Sequence, residues 1–188
     1  MLTRYYIPMN QTDLIRLLIN RLARLDGAET WEGGLNPAQI AALDYLARAN
    51  RFSRAPSHVA DYLGTTRGTM SQTLKSLVRK GYAREARSAR DKRSVLFELT
   101  AAGQRLAGRH GQMRAALAAL PVAEQTALFS SLSALLSALL AANGGRAFGI
   151  CRECIHHRQT ADGAHCALLS LPLSEEDAGL ICHEQVAA

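Results

Sequence analysis

Two short amphipathic segments, separated by one glycine and followed by an arginine-rich run, constrain the fold of this chain most. The first segment ends at Gly64, and the second spans residues 67–80 and is followed by Gly81. Glycine just after an apolar-periodic run is typical of a helix end, and serine or threonine of a helix start. Two short helices joined by a tight turn predict a helix-turn-helix. The expected caps are Ser57 for the first helix and Thr65 or Thr66 for the second.

The second of these helices has two chemically different sides. Met70, Leu74 and Leu77 repeat at helical spacing and predict one buried stripe. The opposite side carries short polar groups, an amide and cations, and no Asp or Glu occurs from Thr65 to Arg84. A merely solvated face usually mixes Glu with Lys, so we favour contact with DNA bases and phosphates. The candidate DNA contacts are Thr66, Arg67, Gly68, Thr69, Gln72, Lys75 and Arg79.

The arginine-rich run that follows predicts a β-hairpin. Val95, Phe97 and Leu99 alternate with their neighbours as in a half-buried strand, and residues 84–87 are placed to pair with it across a polar loop. A basic hairpin directly after a recognition helix is a wing, whose cations lie along the DNA backbone or enter a minor groove. Without such a helix, a solvated surface hairpin would be the better interpretation. The candidate contacts are Arg87, Arg90 and Arg93.

The remaining segments up to residue 143 are predicted to be helical. Apolar residues repeat at helical spacing over 10–25, a helix opens at Asn36-Pro37, and one long helix is expected over 101–120. The segment 122–142 is apolar over a broad face, which predicts packing against a partner subunit, against the first helix, or both. The expected fold class is mainly α with a small β-wing, a winged helix-turn-helix whose dimer is built from N- and C-terminal helices.

Composition and motifs exclude several other classes. A net charge of +6 is by itself only weak evidence for a polyanionic partner. We found no signal peptide and no uninterrupted apolar stretch of about 18 residues, so we expect a cytoplasmic protein without a membrane partner. No paired-carboxylate, Ser/His/Asp or Gly-rich phosphate motif was found, so we do not expect an enzyme.

Residues 10 to about 143 resemble the MarR-type winged-helix regulators. The order of elements is similar, and the most specific part is the wing segment 91–103, with its Asp-x-Arg pair followed by Leu-Thr-x-x-Gly. The resemblance implies that Asp91 stabilises the wing while Arg93 approaches DNA. It also implies a homodimer that regulates transcription at a palindromic operator in double-stranded DNA. Effectors vary across the family, so a small-molecule effector remains an alternative mode of control.

The chain continues beyond the point where most such regulators end. Asn143-Gly144-Gly145 predicts a stop and hinge, so we divide the chain into a DNA-binding and dimerisation domain, 1–143, and a tail, 144–188. All four cysteines lie in the tail. They are Cys151, Cys154, Cys166 and Cys182, and they are expected to bind one metal ion or cluster.

Two kinds of bound group fit four thiolates. A structural zinc ion is the simpler one, but the second pair of cysteines lacks the C-x2-C spacing of a zinc knuckle. The order of the cysteines is similar to that of high-potential iron–sulfur proteins, although the aromatic shielding of those proteins is missing. We favour an iron–sulfur cluster that senses redox state or iron supply, with zinc as the alternative. Unligated thiols or a disulfide switch remain open. The tail is expected to act by packing on the dimer helices and setting the distance between recognition helices.

Overall fold

The computed structural model describes residues 9–28, 34–87, 94–108, 111–161 and 163–186. Eight helices and seven strands are found within these ranges. The helices are α1 (Gln11–Ala28), α2 (Pro37–Arg48), α3 (Pro56–Tyr62), α4 (Arg67–Arg79), α5 (Ala101–Leu106), α6 (Gly111–Ala118), α7 (Val122–Asn143) and α8 (Glu175–Ala178). The strands are β1 (Ala83–Arg87), β2 (Val95–Leu99), β3 (Gly149–Ile150), β4 (His157–Thr160), β5 (Gly163–Cys166), β6 (Leu171–Pro172) and β7 (Ile181–Cys182).

Helices α2, α3 and α4 pack around one apolar core with the β1–β2 hairpin. Asn36 caps α2 in a reciprocal box with Gln39, and Pro37 occupies its first turn, as predicted. The most deeply buried core side chains come from all of these elements: Leu43, Tyr45, Leu46, Val59, Met70, Leu74, Leu77 and Phe97. The mainly helical winged-helix architecture predicted from the sequence is confirmed.

Helix α3 begins earlier than the sequence indicated. Its cap is Ala55 and its first residue is Pro56, so the prediction that Ser57 caps it is wrong. The fixed backbone angle of proline is already helical, and its missing N–H is not needed in the first turn. Thr66 caps α4, which agrees with one of the two predicted caps.

The β1–β2 hairpin forms, and residues 84–87 pair with β2 as predicted. Ala83 pairs with Leu99 and Arg87 with Val95 in an antiparallel ladder. The tip of the hairpin, including Arg90, Asp91 and Arg93, lies outside the described residues.

The single long helix predicted over 101–120 is wrong. Helix α5 ends at Leu106, and α6 starts at Gly111. Between them Gly108 has a φ of 76°, and its N–H donates to a carboxylate oxygen of Asp44 in α2 at 2.8 Å. A left-handed residue ends a helix, and here the tertiary hydrogen bond holds it in place.

Helices α1 and α7 are largely exposed in the isolated chain. The apolar residues that stay accessible on them include Leu14, Ile15, Leu18, Leu22, Phe129, Leu132, Leu136 and Leu139. Helix α7 is also long and apolar enough to cross a membrane by length and composition alone, which the search for uninterrupted apolar stretches did not indicate. This is weak evidence for a membrane span, because serines interrupt the helix and the same pattern suits a helix buried between subunits.

The tail forms two small antiparallel sheets. Strand β3 pairs with β7, and β4, β5 and β6 form a three-stranded sheet in that order. Helix α7 stops at Asn143 with Gly144 as its C-cap, where the sequence predicted the hinge. The strand β7 then returns to the helical core and forms a bridge between Ile181 and Ala49, at the end of α2.

Candidate nucleic-acid interface and cysteine cluster

Helix α4 presents the predicted recognition face to solvent. Its inner stripe is fixed because Met70, Leu74 and Leu77 are at most 2 % exposed. All seven predicted contact residues on this helix and its cap are exposed. Gly68 has nothing within 4 Å of the position a Cβ would take, so the backbone here is open to close approach by a ligand. The face therefore combines an exposed amide, hydroxyls and cations on a rigid support.

Two polar side chains of this region hold α4 against α2. The amide of Gln39 donates to the Ser76 hydroxyl at 2.9 Å, and Lys80 Nζ donates to the Gly34 carbonyl and to Gln39 Oε1. These bonds fix the tilt of α4 relative to the core. Lys80 is therefore engaged within the protein, which distinguishes it from Lys75 and Arg79.

The described part of the wing adds positive charge beside α4. Arg87 is exposed at the end of β1. Arg84 has a different role, because its guanidinium pairs with Glu98 across the hairpin at 2.7 Å. This cross-strand pair aligns the two strands. The predicted roles of Arg90, Arg93 and Asp91 lie outside the described residues and stay predictions.

The four cysteines are brought together by the two small sheets. Pairing of β3 with β7 places Gly149 opposite Cys182, and Cys151 follows β3 in a single 3₁₀ turn that leads to Cys154. Cys166 ends β5, opposite His157. Cys151, Cys166 and Cys182 are buried in one apolar cluster with Leu173, and all four thiols are free.

The thiols interact with one another electrostatically. A hydrogen bond between Cys151 and Cys182 raises the pKa of Cys151 and lowers that of Cys182. Burial and the other two cysteines, Cys166 and Cys154, raise the pKa of Cys151 further. A cation bound between four interacting thiols would stabilise their thiolate forms by neutralising the negative charge.

Backbone N–H groups point at the sulfurs. Cys154 Sγ accepts hydrogen bonds from the N–H groups of His156 at 3.5 Å and Val186 at 3.4 Å. Such bonds stabilise a thiolate and tune bound clusters. As the side chains are placed, no group of three or more His, Cys, Asp or Glu residues in the described ranges is arranged to hold a metal ion. The cysteines thus converge without forming a closed coordination shell.

The loop between α2 and α3 contributes to this cluster, which sequence reasoning missed. The side chains of Asn50 and Ser53 lower the pKa of Cys182, after the larger effects of Cys151 and of burial, which acts in the opposite direction. Phe52 packs against the buried cysteines and supplies part of the aromatic cover that the tail itself lacks. No local signal could have placed these residues there, because they are more than 120 positions from Cys182 in the sequence.

The histidines of the tail differ in surroundings. His183 is buried and stacks on His58 of α3, with ring centroids 3.7 Å apart. Burial, and then the neighbouring His183, lowers the pKa of His58 to about 4, so the two rings pack as neutral imidazoles. His156, His157 and His165 are half-buried on the three-stranded sheet side of the tail.

The fold and its exposed face define a winged helix-turn-helix. Residues 33–94 match the family model described as MarR family. No curated protein sequence matches the chain.

Several solved structures share the fold. A complex of S. aureus MepR with DNA is 21 % identical, with a TM-score of 0.57, and the match covers 70 % of this chain and 99 % of that one. S. pneumoniae FabT in complex with DNA is 22 % identical, with a TM-score of 0.56, over 68 % of this chain and 94 % of that one. The apo form of MarR from E. coli is 22 % identical, with a TM-score of 0.53, over 69 % and 99 %. At these identities the likeness establishes the fold.

Proposed function

We propose that this chain is a MarR-type transcriptional regulator that binds double-stranded DNA. The observation that carries the proposal is the face of α4, whose Gln72, Lys75 and Arg79 are exposed and free of acidic neighbours on that helix. The helix starts with no acidic residue in its first turn, so its unpaired N–H groups and positive dipole end remain available to a phosphate. The likeness to MepR and FabT, both solved with DNA, supports this function.

The apolar surfaces of α1 and α7 support a homodimer. Leu18 of α1 is 59 % exposed and Phe129 of α7 is 74 % exposed, and both lie among further accessible leucines. A soluble monomer rarely exposes a continuous apolar surface of this kind. A second copy of the chain buries it and presents two α4 helices to a palindromic operator. This assignment keeps α7 in a soluble, cytoplasmic regulator without enzymatic activity.

The four cysteines are proposed to bind an iron–sulfur cluster whose state tunes DNA binding. The support is the burial of Cys151, Cys166 and Cys182, the mutual interaction of the thiols, and the backbone N–H groups that point at Cys154. The cluster would be held by Cys151, Cys154, Cys166 and Cys182. A structural zinc ion on the same thiolates is the alternative.

DNA binding is tested by selecting duplexes from the source genome with the full-length protein and measuring their affinity against unrelated DNA. We expect the selected sites to bind at least about 10³-fold more tightly than competitor at physiological salt. Equal binding to all duplexes would contradict a sequence-specific regulator.

The bound group is tested by anaerobic purification followed by metal analysis and a visible absorption spectrum. Iron with sulfide and a broad visible absorbance support the cluster. Stoichiometric zinc in a colourless protein supports the alternative. A Cys182→Ser variant that keeps the wild-type content of iron or zinc would contradict a four-cysteine site. A wild-type protein that contains neither metal would contradict it as well.

A further inference from the structure

We propose that Asn50 and Ser53, in the loop of residues 49–55 between α2 and α3, hold the Cys182 ligand and transmit occupancy of the cysteine site to the helix-turn-helix of the same subunit. The inference rests on the proposed four-cysteine site. This path from the cysteines to the helix-turn-helix is shorter than one through the N- and C-terminal helices, because β7, the strand that carries Cys182, is bonded to the loop.

The loop grips the chain on both sides of Cys182. The N–H of Asn50 donates to the Ile181 carbonyl at 2.9 Å, one residue before the cysteine. The N–H of His183, one residue after it, donates to the Ser53 hydroxyl at 2.8 Å. Cys182 therefore cannot shift without moving the loop.

Asn50 has a buried side chain that interacts with Cys182. The residue is fully buried, and its Oδ1 accepts from the Phe52 N–H at 3.1 Å and from the Ser53 hydroxyl at 2.8 Å. Its Nδ2 makes no hydrogen bond within the usual distance and angle limits among the described residues, but the side chain lowers the pKa of Cys182. An amide donor beside a sulfur favours the thiolate form that a metal or cluster requires.

The attachment of the loop on both sides of Cys182 couples the two sites. A bound group changes an equilibrium only if it interacts differently with the two states. A metal or cluster on the four cysteines fixes the position of Cys182, and the loop that is bonded to Ile181 and His183 is fixed with it. The loop conformation is thus biased by occupancy of the cysteines.

The loop in turn positions the two elements that flank α4. The Ser53 carbonyl accepts from the buried Tyr45 hydroxyl at 2.8 Å, and the Arg54 carbonyl accepts from the Phe97 N–H of β2 at 3.0 Å. Helix α3 begins directly after the loop and packs against α4. A displaced loop therefore shifts both the first helix of the helix-turn-helix and the wing.

The test uses the full chain, loaded anaerobically with iron and sulfide, or with Co²⁺ if the site proves to bind zinc. Asn50→Asp keeps the Oδ1 acceptor for the loop and replaces the Nδ2 donor. Ser53→Ala removes the acceptor of the His183 N–H and serves if the buried carboxylate prevents folding. Glu175→Ala is the control, since it removes an exposed charge from α8 in the tail and no hydrogen bond or ion pair to the loop among the described residues.

Two readouts separate transmission from general damage. The first is the ratio of operator affinity between the loaded and the metal-free protein, which for the wild type is expected to differ by about 5–150-fold. The second is the thiolate charge-transfer spectrum of the loaded site. Asn50→Asp should shift this spectrum, weaken metal binding by about 10–100-fold and remove most of the affinity ratio. Glu175→Ala should leave the spectrum unchanged and retain the ratio.

The failure modes are distinct. A wild-type protein that binds neither iron–sulfur nor metal contradicts the proposed site itself, and the inference falls with it. If the cysteines bind a metal or cluster but operator affinity does not change, the proposed transmission is contradicted and the proposed site is not. A normal affinity ratio and an unshifted spectrum in both Asn50→Asp and Ser53→Ala would also overturn it.

Discussion

The imidazole rings of His58 and His183 stack with their centroids 3.7 Å apart and their planes 18° from parallel. His58 belongs to α3 and His183 follows Cys182, so this contact joins the helix-turn-helix to the cysteine cluster. Phe148 meets His183 edge-on at 5.3 Å and also packs against Tyr62 of α3. The tail is therefore packed against the DNA-binding lobe through aromatic contacts as well as through the loop at Asn50.

Gly103 packs closely against the backbone at Tyr82. A Cβ at this residue would lie 2.0 Å from the Tyr82 carbonyl oxygen, which cannot move without disturbing the start of β1. We expect Gly103→Ala to lower the free energy of unfolding by at least about 1–3 kcal/mol, as forced overpacking does. Chemical denaturation of the full-length protein measures this.

Gly68→Ala is the matched control for that substitution. Its Cβ position is open and its helix has no strain there, so we expect unfolding to become harder by about 0.5–1 kcal/mol. The same methyl lies on the α4 face that is proposed to contact DNA. Equal stability losses in the two variants would contradict the packing described at Gly103.

Asp177 holds the tail to the loop through a buried carboxylate. It forms a capping box with Ser174 and an ion pair with Arg51 at 3.1 Å. Because Arg51 is half exposed, we assign most of the effect to the lost cap and expect Asp177→Ala to cost about 1–2 kcal/mol. Hydrogen exchange should show faster opening at residues 173–182, with little change in the α4 amides. Glu175→Ala, in the same helix but exposed, should have a much smaller effect.

The exposed stripe of α7 is expected to form the dimer interface. Leu132→Glu places a charge among Leu128, Leu135 and Leu139, and burying it between subunits is costly. Sedimentation should show a monomer or a strongly weakened dimer, with reduced operator affinity. Ser137→Glu lies on the opposite side of the helix and should remain dimeric. A fully dimeric Leu132→Glu would place the interface elsewhere.

Gln72 and Lys75 should affect DNA binding in different ways. Gln72→Ala is expected to cost about 1–3 kcal/mol and to relax selectivity at one base pair, since an amide reads a base edge. Lys75→Ala should weaken all sites alike and lower the salt slope of binding by about 1, as loss of one phosphate contact does. Arg114→Ala, which removes an equal charge from α6, should change neither. Titrations at several salt concentrations measure all three.

Local signals explain which parts of the fold were predictable from sequence. The cap of α2 and the buried stripe of α4 follow from residues within a few positions of each other, and the strand β2 follows from the alternation of apolar and other residues along it. The break after α5 has a local signal in Gly108, but the alanine-rich run around it favours a helix, and the hydrogen bond that fixes the break, from Gly108 to Asp44, spans 64 positions.

The same contrast between local and long-range signals applies to the cysteine site. Its four thiols were recognisable from composition and position alone. The loop that holds Cys182 was not, since the bond between His183 and Ser53 joins residues 130 positions apart. Tertiary packing, and not local spacing, places the tail against α3 and the loop before it.

A hydroxyl-radical footprint of the full-length protein on its selected operator tests the central claim most directly. We expect two protected half-sites whose centres lie about 34–36 Å apart, one helical turn, with a dimer bound. Gln72→Ala should weaken the protection of both half-sites, so that a higher protein concentration is needed for the same footprint. Protection that is absent, or that survives Gln72→Ala and Lys75→Ala together, would contradict DNA recognition by α4.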